Sequence, residues 1–451
     1  MRLRFVKGTL ECDAEEGTAL PPEFLWDPRS ESYRAPASAY TSFMRFAHHE
    51  KVAFDDEARK YVELPLVLKV RPEPRPYQSE ALEAWTQAKK RGVVVLPTGA
   101  GKTLVAHLAI EHTKRSTLIV APTLDLVRQW YDGLKRSFGE EVGLVGGGEH
   151  DVRPLTVTTY DSAALKMHLL GNVFGLLVFD EVHHLPSETY SLAAKHSLAP
   201  FRLGLTATPD RTDGNLTSFD ALIGPIVYRR EITDLAGDFL AEYRTERVRV
   251  ELEPNEREAY DSARAEYVNF LRSCGVDLGK PNGWAEFLMV ATRTERGRKA
   301  LDAYRMQRAI AFSSTRKLAY VDHLLSLHRG ERMILFTQDN DTAYRASRRF
   351  LIPIITHQTS VRERSDILRG LEEGRYGAVV TSKVLNEGVD VPSASVAIVL
   401  SGSGSVREHV QRLGRVLRKR EGKQAILYEL VSEGTLETST SQRRREHLAY
   451  Q

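Results

Sequence analysis

Short apolar runs alternate with segments of helical periodicity along two long stretches of this chain of 451 residues. In the first stretch, from about 77 to 251, the runs predict strands at residues 93–96, 117–123, 155–160, 176–181 and 202–208. In the second stretch, from about 329 to 431, they predict strands in RMILFTQ, IPIITHQ, GAVVTSKV, VAIVLS and AILYELV. Strands that alternate with helices are typical of parallel sheets, which bind ligands at the carboxyl ends of their strands.

The segments around these two sheets follow other patterns. Residues 1–70 predict a small α+β module, and the prolines of RPEPRPYQ after it mark a stiff linker. Residues 252–328 are patterned as helices, which predicts a helical insertion between two sheet domains. The sequence therefore predicts an α/β protein with an N-terminal module at 1–70, a first lobe at 71–251, the insertion at 252–328, a second lobe at 329–432 and a basic tail at 433–451.

Composition narrows the class of protein. Apolar residues make up 42% and charged residues 27% of the chain, as in soluble globular proteins. No apolar run approaches the length of a membrane span and no signal peptide opens the chain, so we predict a cytoplasmic protein without a membrane partner. Cys12 and Cys274 indicate neither a disulfide framework nor a zinc site. With a net charge of +3, any nucleic-acid surface has to be a local patch.

Two groups of basic and aromatic residues each permit two interpretations. In the N-terminal module they form either a nucleic-acid face or solvated arginines beside core aromatics, and we favour the latter: Arg29, Tyr33, Arg34, Tyr40 and Arg45. In the insertion they form either a DNA contact or a solvated helix surface, with neither favoured: Arg293, Arg296, Arg298, Lys299, Arg305 and Arg308.

The octapeptide LPTGAGKT follows the apolar run at 93–95 and precedes a helix-patterned segment. A strand, a glycine-rich turn and a helix N-terminus together form an anion site from backbone N–H groups. Leu96 stands where the full phosphate-loop pattern has its first glycine. We predict that Lys102 reaches the β- and γ-phosphates of ATP and that Thr103 places its hydroxyl on Mg²⁺. The predicted cofactor-binding residues of this loop are Pro97, Thr98, Gly99, Ala100, Gly101, Lys102 and Thr103.

Two carboxylates end another predicted strand, LLVFDE, about 80 residues after the loop. We predict that Asp180 holds Mg²⁺ through its water shell and that Glu181 polarises the attacking water as general base. His183 and His184 follow on a turn. Adjacent residues on a turn point apart, so we predict that these histidines link the carboxylates to the second domain and do not bind zinc.

The second sheet domain has no phosphate loop, but it carries the arginine-rich segment QRLGRVLR (411–418). Arg415 and Arg418 are spaced i and i+3, which puts both on one helix face. Arginines aimed from one lobe onto a phosphate held by the other stabilise the charge that develops in phosphoryl transfer. Because these arginines and the loop lie in different domains, we expect catalysis to depend on closure of the two lobes.

In this order the motifs resemble those of superfamily 2 helicases. They are RPYQ (75–78), LPTGAGKT, APTLDLVRQW (121–130), TTYDSA (158–163), DEVHH, LTATP (205–209), ILFTQ (334–338), EGVDVP (387–392) and QRLGRVLR. Within that superfamily the chain resembles the XPB repair helicases in their compact archaeal-type form, through DEVHHLP, FRLGLTATPDR, THQTS, SGSGS and LYELVSEGT. WDPRSESYRA in the N-terminal module is similar to the damage-recognition domain of that family.

The resemblance implies two RecA-like helicase lobes, a thumb-like insertion and a DNA-dependent ATPase of nucleotide excision repair. It implies movement 3′ to 5′ along one strand or pumping of duplex DNA, with sequence-independent contacts and a repair nuclease as possible partner. Gln78 is the implied adenine reader, because an amide bonds both a donor and an acceptor. The resemblance adds Gly388, Asp390 and Gln411 to the ATP site. The implied DNA-contact residues are Thr123, Arg128, Thr159, Tyr160, Arg211, Asp213, Thr356 and Thr381.

One departure from the family keeps other functions open. XPB proteins commonly have an Arg-Glu-Asp triplet after the T-A-T motif, where this chain has Arg211, Thr212 and Asp213. Loss of the central carboxylate puts strand separation in doubt, although not ATP hydrolysis. The alternatives are an ATP-gated DNA clamp that recruits a nuclease without unwinding, and an RNA helicase.

Overall fold

The computed structural model describes residues 1–70, 72–208, 218–235, 242–280, 282–382, 394–402 and 424–444. The chain divides into two compact units, Met1–Asp234 and Leu235–Gln451. No helix in the described ranges is long and apolar enough to cross a membrane.

A small module opens the first unit. Its elements are strands β1 (Arg2–Val6), β2 (Thr9–Asp13), β3 (Leu25–Asp27) and β4 (Ser32–Pro36), helix α1 (Tyr40–His49) and strand β5 (Asp55–Asp56). The strands form a sheet in the order β3-β4-β2-β1-β5. Tyr33 and Tyr40 are buried in the core of this module. The Arg34 guanidinium donates to Glu11 and Thr9. These contacts support the interpretation of these three side chains as structural.

The rest of the first unit is a second sheet covered by helices. In chain order its elements are α2 (Pro76–Gln87), β6 (Arg91–Val95), α3 (Lys102–Thr113), β7 (Thr117–Ala121), α4 (Leu124–Phe138), β8 (Gly143–Gly146), β9 (Glu149–Asp151), β10 (Leu155–Thr159), α5 (Tyr160–Leu170), β11 (Leu176–Asp180), α6 (Ser191–Lys195), β12 (Phe201–Thr206), α7 (Ser218–Leu222), β13 (Ile226–Arg229) and α8 (Ile232–Leu235). Strands β7, β10 and β11 are buried along their whole length, as expected for parallel strands covered on both faces.

The order of strands in this sheet is β13-β6-β12-β11-β7-β10-β8-β9. All neighbouring pairs are parallel except β8 with β9. The loops after β6, β12 and β11 therefore meet on one part of the carboxyl edge. The loops after β7 and β10 lie beside them, so the strand order brings segments that are distant in sequence to one edge.

The chain between the module and α2 attaches the module to the opposite, amino edge of the same sheet. The Val62 N–H donates to Ser116 Oγ at 3.2 Å, and the Leu64 N–H donates to the Lys114 carbonyl at 3.0 Å. Lys114 and Ser116 come directly before β7. The module and the phosphate loop are therefore at opposite ends of the strands.

The second unit contains a six-stranded parallel sheet in the order β14-β19-β18-β15-β17-β16. Its elements are β14 (Glu242–Val250), α9 (Pro254–Cys274), α10 (Gly283–Arg293), α11 (Glu295–Phe312), α12 (Thr315–Leu327), β15 (Met333–Phe336), α13 (Asn340–Phe350), β16 (Ile354–Ile355), α14 (Val361–Glu372), β17 (Ala378–Thr381), β18 (Val396–Val399), β19 (Gln424–Ser432) and α15 (Leu436–Arg444).

Helices α9, α10 and α11 enclose an aromatic core of their own. Tyr267 packs against Phe287 and Tyr304 with ring centroids 5.4 Å and 5.0 Å away. Thr294 adopts an extended conformation and its side chain accepts the Gly297 N–H, which starts α11 as a separate helix. The continuous helical pattern at 284–312 therefore corresponds to two helices.

The predicted α/β class, with two parallel-sheet lobes, a helical segment and a small N-terminal module, is confirmed. The domain boundaries stay predictions. Residues 242–250 were predicted as part of the first lobe, but they form β14 and pair with β19 of the second sheet. The alternating polar pattern of EYRTERVRV suits an edge strand and lacks the continuous apolar run that marked the other strands.

A buried ion pair joins helices α12 and α15 of the second unit. The Lys317 ammonium on α12 donates to Glu437 Oε2 at 2.6 Å, to the Leu400 carbonyl at 2.6 Å and to the Ala311 carbonyl at 3.2 Å. The Ser432 N–H donates to the same Glu437 oxygen at 2.9 Å. Both charged side chains are almost completely buried, so each depends on the other for compensation of its charge.

We predict that Lys317→Met lowers the unfolding free energy of the second unit by about 3–5 kcal/mol, because it leaves Glu437 buried without its counter-ion. Urea denaturation measures this loss. The matched control is Lys299→Met, which removes the exposed pair of Lys299 with Glu295 at 3.1 Å and should cost about 0.5 kcal/mol or less. Equal losses of unfolding free energy in the two variants would show that the buried pair contributes no more to stability than the exposed one.

Candidate functional site

The predicted phosphate loop leaves the carboxyl end of β6 and enters α3, which begins at Lys102. Gly99 and Gly101 have φ angles of 85° and 79°, a region that glycine adopts without steric cost. A Cβ on Gly101 would clash with the amide nitrogen of Gln78. The loop therefore requires glycine at this position for both its conformation and its close packing.

The polar side chains of the loop are arranged as an anion site requires. The Lys102 ammonium donates to the carbonyls of Leu96 and Pro97, at 3.2 Å and 3.4 Å. The Thr98 hydroxyl is buried and has no hydrogen-bond partner among the described residues. An ammonium bonded to loop carbonyls and a buried hydroxyl that is unpaired among the described residues fit a site for polyphosphate.

Gln78, the implied adenine reader, lies directly against this loop. Its amide nitrogen donates to the carbonyls of Ala100, at 2.9 Å, and Gly101, at 3.3 Å. Its amide oxygen accepts the Arg75 N–H at 2.9 Å, and the Tyr77 hydroxyl also donates to the Ala100 carbonyl at 2.9 Å. Gln78 thus holds the loop backbone through its amide nitrogen and the N-cap of α2 through its amide oxygen. Its role toward the base stays a prediction.

Asp180, at the end of β11, is a buried carboxylate with two direct hydrogen-bond donors. The indole N–H of Trp130 donates to Oδ2 at 2.8 Å, and the Glu181 N–H donates to Oδ1 at 3.0 Å. Burial raises the pKa of Asp180, while the Trp130 hydrogen bond and the charge of Lys102 oppose that rise. The influence of Lys102 indicates that the two predicted ends of the ATP site are close to each other.

Glu181 stands in a left-handed backbone conformation, with φ of 46°, and its residue is only 9% exposed. His183 Nδ1 lies 3.5 Å from Glu181 Oε2 and 3.1 Å from the Thr206 hydroxyl oxygen at the end of β12. The Thr206 hydroxyl donates to the Thr208 carbonyl at 3.0 Å. His183 therefore links the predicted general base to the neighbouring strand of the same sheet.

The structure adds no metal cluster to this picture. The described residues contain no group of three or more His, Cys, Asp and Glu side chains that could hold a metal ion. The rings of His183 and His184 are 4.4 Å apart, and His184 also packs near Tyr160 at 5.8 Å. Thr103 at the start of α3 and Asp180 remain the oxygen donors that suit Mg²⁺.

The predicted DNA contacts of the first lobe differ in exposure. Thr123 and Thr159 cap helices α4 and α5, accepting the N–H groups of Leu126 and Ser162. Their strands, β7 and β10, are neighbours, so both helix N-termini lie on the same part of the carboxyl edge. Arg128 is exposed on α4.

Tyr160 is a buried side chain at the turn of the acidic pair. It is 1% exposed, and its hydroxyl donates to the Asp180 carbonyl at 2.9 Å. Its side chain therefore supports the turn that carries the acidic pair. A contact of Tyr160 with DNA stays a prediction.

The two threonines predicted as DNA contacts in the second unit also have buried side chains. Thr356 is 1% exposed and its hydroxyl oxygen accepts the Gln358 N–H at 3.2 Å. Thr381 is fully buried and its hydroxyl donates to the Ser382 carbonyl at 3.0 Å. Both hydroxyls stabilise the loops after their strands, and a contact of either residue with DNA stays a prediction.

Seven predicted site residues lie outside the residues that the structure describes, and their roles stay predictions: Arg211, Asp213, Gly388, Asp390, Gln411, Arg415 and Arg418.

Trp130 is the site residue that sequence reasoning missed. It belongs to the buried face of α4 with Val127, Leu134 and Phe138, so its pattern is that of an ordinary core residue. The available signal was chemical, since a buried indole N–H has to find an acceptor. Its partner, Asp180, is 50 residues away along the chain and becomes its neighbour through the pairing of β7 with β11.

A parallel sheet with a phosphate loop after β6 and an Asp-Glu pair after nearby β11 defines a nucleotide hydrolase of the RecA-like class. The helicase domain of Hef from Pyrococcus furiosus has this fold; it superposes with a TM-score of 0.56 at 21% identity, covering 82% of this chain and 98% of that domain.

Three family models match parts of the sequence. They describe a type III restriction enzyme res subunit at residues 71–211, an ERCC3/RAD25/XPB C-terminal helicase at 298–451, and a xeroderma pigmentosum group B helicase damage recognition domain at 3–58.

Full-length relatives agree with these models. The DNA 3′-5′ translocase XPB2 of Sulfurisphaera tokodaii is 41% identical, over 98% of this chain and 99% of its own length. The DNA 3′-5′ helicase XPB of Kineococcus radiotolerans is 34% identical, over 84% of this chain and 63% of its own length. The chain belongs to the XPB helicase family and is an ATP-hydrolysing helicase or translocase.

We predict that Gly101→Ala weakens nucleotide binding about tenfold or more, equivalent to about 1.4 kcal/mol. The reason is that the new Cβ meets Gln78 and forces the loop out of its conformation. Binding of a fluorescent ATP analogue, followed by anisotropy, measures the change. Gly17→Ala is the control, since Gly17 has a φ of 88° and its added Cβ would meet nothing within 4 Å. Unchanged nucleotide affinity in Gly101→Ala would contradict the described packing of the loop.

Proposed function

We propose that this protein is an ATP-dependent motor that moves 3′ to 5′ on DNA, as a helicase or duplex translocase, in nucleotide excision repair. The observation that supports this proposal is that the acidic pair and the phosphate loop lie at the same carboxyl edge of the first sheet. The capped N-termini of α4 and α5 lie at that edge too. We take DNA as the polymer and 3′ to 5′ as the direction of movement from the XPB relatives, which are a DNA 3′-5′ translocase and a DNA 3′-5′ helicase.

Each residue of the ATP site has a proposed task. Bound Mg²⁺–ATP supplies the transferable phosphoryl group and the charge that the site neutralises. The Lys102 ammonium exchanges its loop carbonyls for phosphate oxygens, and the backbone N–H groups of the loop surround the phosphates. Thr103, through its hydroxyl, and Asp180, through the water shell of the ion, would hold Mg²⁺. Glu181, oriented beside His183, accepts the proton of the attacking water.

The polymer is proposed to bind at the first turns of α4 and α5. The N-terminus of a helix attracts phosphate because its first N–H groups are unpaired and its dipole is positive there. Such contacts position a nucleic acid without reading its bases, which suits a motor that works on any sequence. We assign these contacts to Thr123, Thr159 and Arg128, of which Thr123 and Thr159 cap the two helices and Arg128 is exposed on α4.

Other parts of the proposal rest on the family and the sequence. The damage-recognition model that matches residues 3–58 supports a role in repair. A repair nuclease as partner, a cytoplasmic location and the ATP-site roles of Gln411, Arg415 and Arg418 are retained as predictions.

We predict that Lys102→Ala abolishes DNA-stimulated ATP hydrolysis while leaving the fold intact, because the ammonium is removed from the phosphates. Phosphate release, measured with and without DNA, tests this together with the circular dichroism of the variant. Lys135→Ala, on the exposed face of α4, is a matched loss of one lysine and should keep hydrolysis near the wild-type rate. Full activity of Lys102→Ala would overturn the assigned mechanism.

A comparison of polymers separates the proposed function from its alternatives. We expect single-stranded or duplex DNA to stimulate ATP hydrolysis more than RNA does, and stimulation by RNA alone would make the protein an RNA helicase. Displacement of a strand from a 3′-tailed duplex indicates a helicase, and displacement of the third strand from a triplex indicates a duplex translocase. ATP turnover without either displacement would favour the clamp that recruits a nuclease.

A further inference from the structure

Two side chains from different helices hold the same aspartate. The Trp130 indole N–H, on α4, donates to Asp180 Oδ2 at 2.8 Å. The Tyr160 hydroxyl, on α5, donates to the Asp180 carbonyl at 2.9 Å. The side chain and the backbone of Asp180 are thus held separately, one from each helix.

Both helices begin at the part of the sheet edge proposed to bind nucleic acid. Helix α4 starts after its cap Thr123, and α5 starts after its cap Thr159. Strand β7 lies between β10 and β11, so α4 starts beside the strand that ends in Asp180 and α5 starts one strand further away. Trp130 is seven residues after Thr123, which is two helical turns or about 10 Å along the axis.

Trp130 is closely packed within the buried face of α4. Trp130 is 4% exposed, and its ring lies 5.9 Å from the ring of His107 on α3, the helix that follows the phosphate loop. Val127, Leu134 and Phe138 bury the same face of α4. A displacement at the first turn of such a helix is carried to the indole, since a closely packed interior does not absorb small movements locally.

We propose that Trp130 and Tyr160 are positioning residues that couple the binding of nucleic-acid phosphates, at the first turns of α4 and α5, to the orientation of the Asp180 carboxylate. This coupling rests on the proposed function, in which Asp180 holds Mg²⁺ and the two helix N-termini bind the polymer. The proposal adds that polymer binding improves the Mg²⁺ site through these two hydrogen bonds.

The direction of the effect follows from hydrogen-bond geometry. A donor on Oδ2 and a backbone donor on Oδ1 restrict rotation of the carboxylate, so its remaining lone pairs keep a defined direction. A phenylalanine at position 130 fills most of the same space but donates nothing. The buried carboxylate then loses its indole donor and turns more freely, which weakens its hold on Mg²⁺. By linkage, polymer binding and Mg²⁺–nucleotide binding lose the same coupling free energy.

The test is a binding measurement that requires no turnover. A fluorescent, non-hydrolysable ATP analogue is titrated with wild type and Trp130→Phe in Mg²⁺ and in EDTA, with and without a tailed DNA duplex, by anisotropy. We expect Trp130→Phe to weaken binding about tenfold in Mg²⁺, which is about 1.4 kcal/mol, and to leave binding in EDTA unchanged. We expect DNA to strengthen Mg²⁺-dependent binding in wild type and to change it less in the variant.

Trp85→Phe is the matched control. The Trp85 indole N–H is also completely buried and donates to a single oxygen at 2.9 Å, but that oxygen is the Arg202 carbonyl at the other end of β12. This variant should lose comparable thermal stability and keep the wild-type Mg²⁺ dependence. Tyr160→Phe is a second test, which removes one hydroxyl with little change of packing, and it should reduce the effect of DNA in the same direction.

The possible outcomes separate the two proposals. A Trp130→Phe protein with wild-type Mg²⁺ dependence, or a Trp85→Phe protein with the same defect, would overturn the positioning role. Weakened binding in both Mg²⁺ and EDTA would also overturn it, because the phosphate loop itself would then be damaged. If DNA leaves wild-type nucleotide binding and hydrolysis unchanged, the proposed function fails, while the DNA-free comparison in Mg²⁺ still decides whether Trp130 positions Asp180.

Discussion

The burial of Asp180 is the constraint on which the rest of the first lobe depends. A carboxylate removed from water is costly unless donors and positive charge surround it. Here these come from the Glu181 N–H after β11, the Trp130 indole on α4 and the Lys102 ammonium at the start of α3. Because the three groups belong to three different elements, the order of strands β6, β12, β11 and β7 has to be kept for the charge to be tolerated at all.

The second unit uses a buried charge in a different way. Lys317 and Glu437 compensate each other inside the protein, and the carbonyls of Ala311 and Leu400 complete the shell of the ammonium. The Ser432 N–H at the end of β19 also donates to Glu437, so the pair connects α12 and α15 to the sheet. Asp180, by contrast, has no buried lysine as a direct hydrogen-bond partner in the described residues and is held by an indole N–H from α4 and by the backbone N–H of Glu181.

The parts of this structure that sequence predicts are those set by neighbours along the chain. Buried β-branched runs located β6, β7, β10, β11 and β12 to within a few residues, and the spacing of LPTGAGKT located the start of α3. The contacts of Trp130 and Tyr160 with Asp180 could not be predicted from the sequence, because they form only when β11 pairs with β7. The buried hydroxyls of Thr356 and Thr381 show the same limit, since motif position alone does not tell which way a side chain turns.

The attachment of the N-terminal module to the amino edge of the first sheet has a consequence for distance. The module and the phosphate loop are separated by the length of a strand such as β7, whose five residues span roughly 17 Å. The backbone of residues 62 and 64 is hydrogen-bonded to the sheet. The segment that connects the module to the sheet is therefore not a flexible linker at these residues. The module is therefore held at a fixed distance from the ATP site, and any ligand that it bound would be held at that distance too.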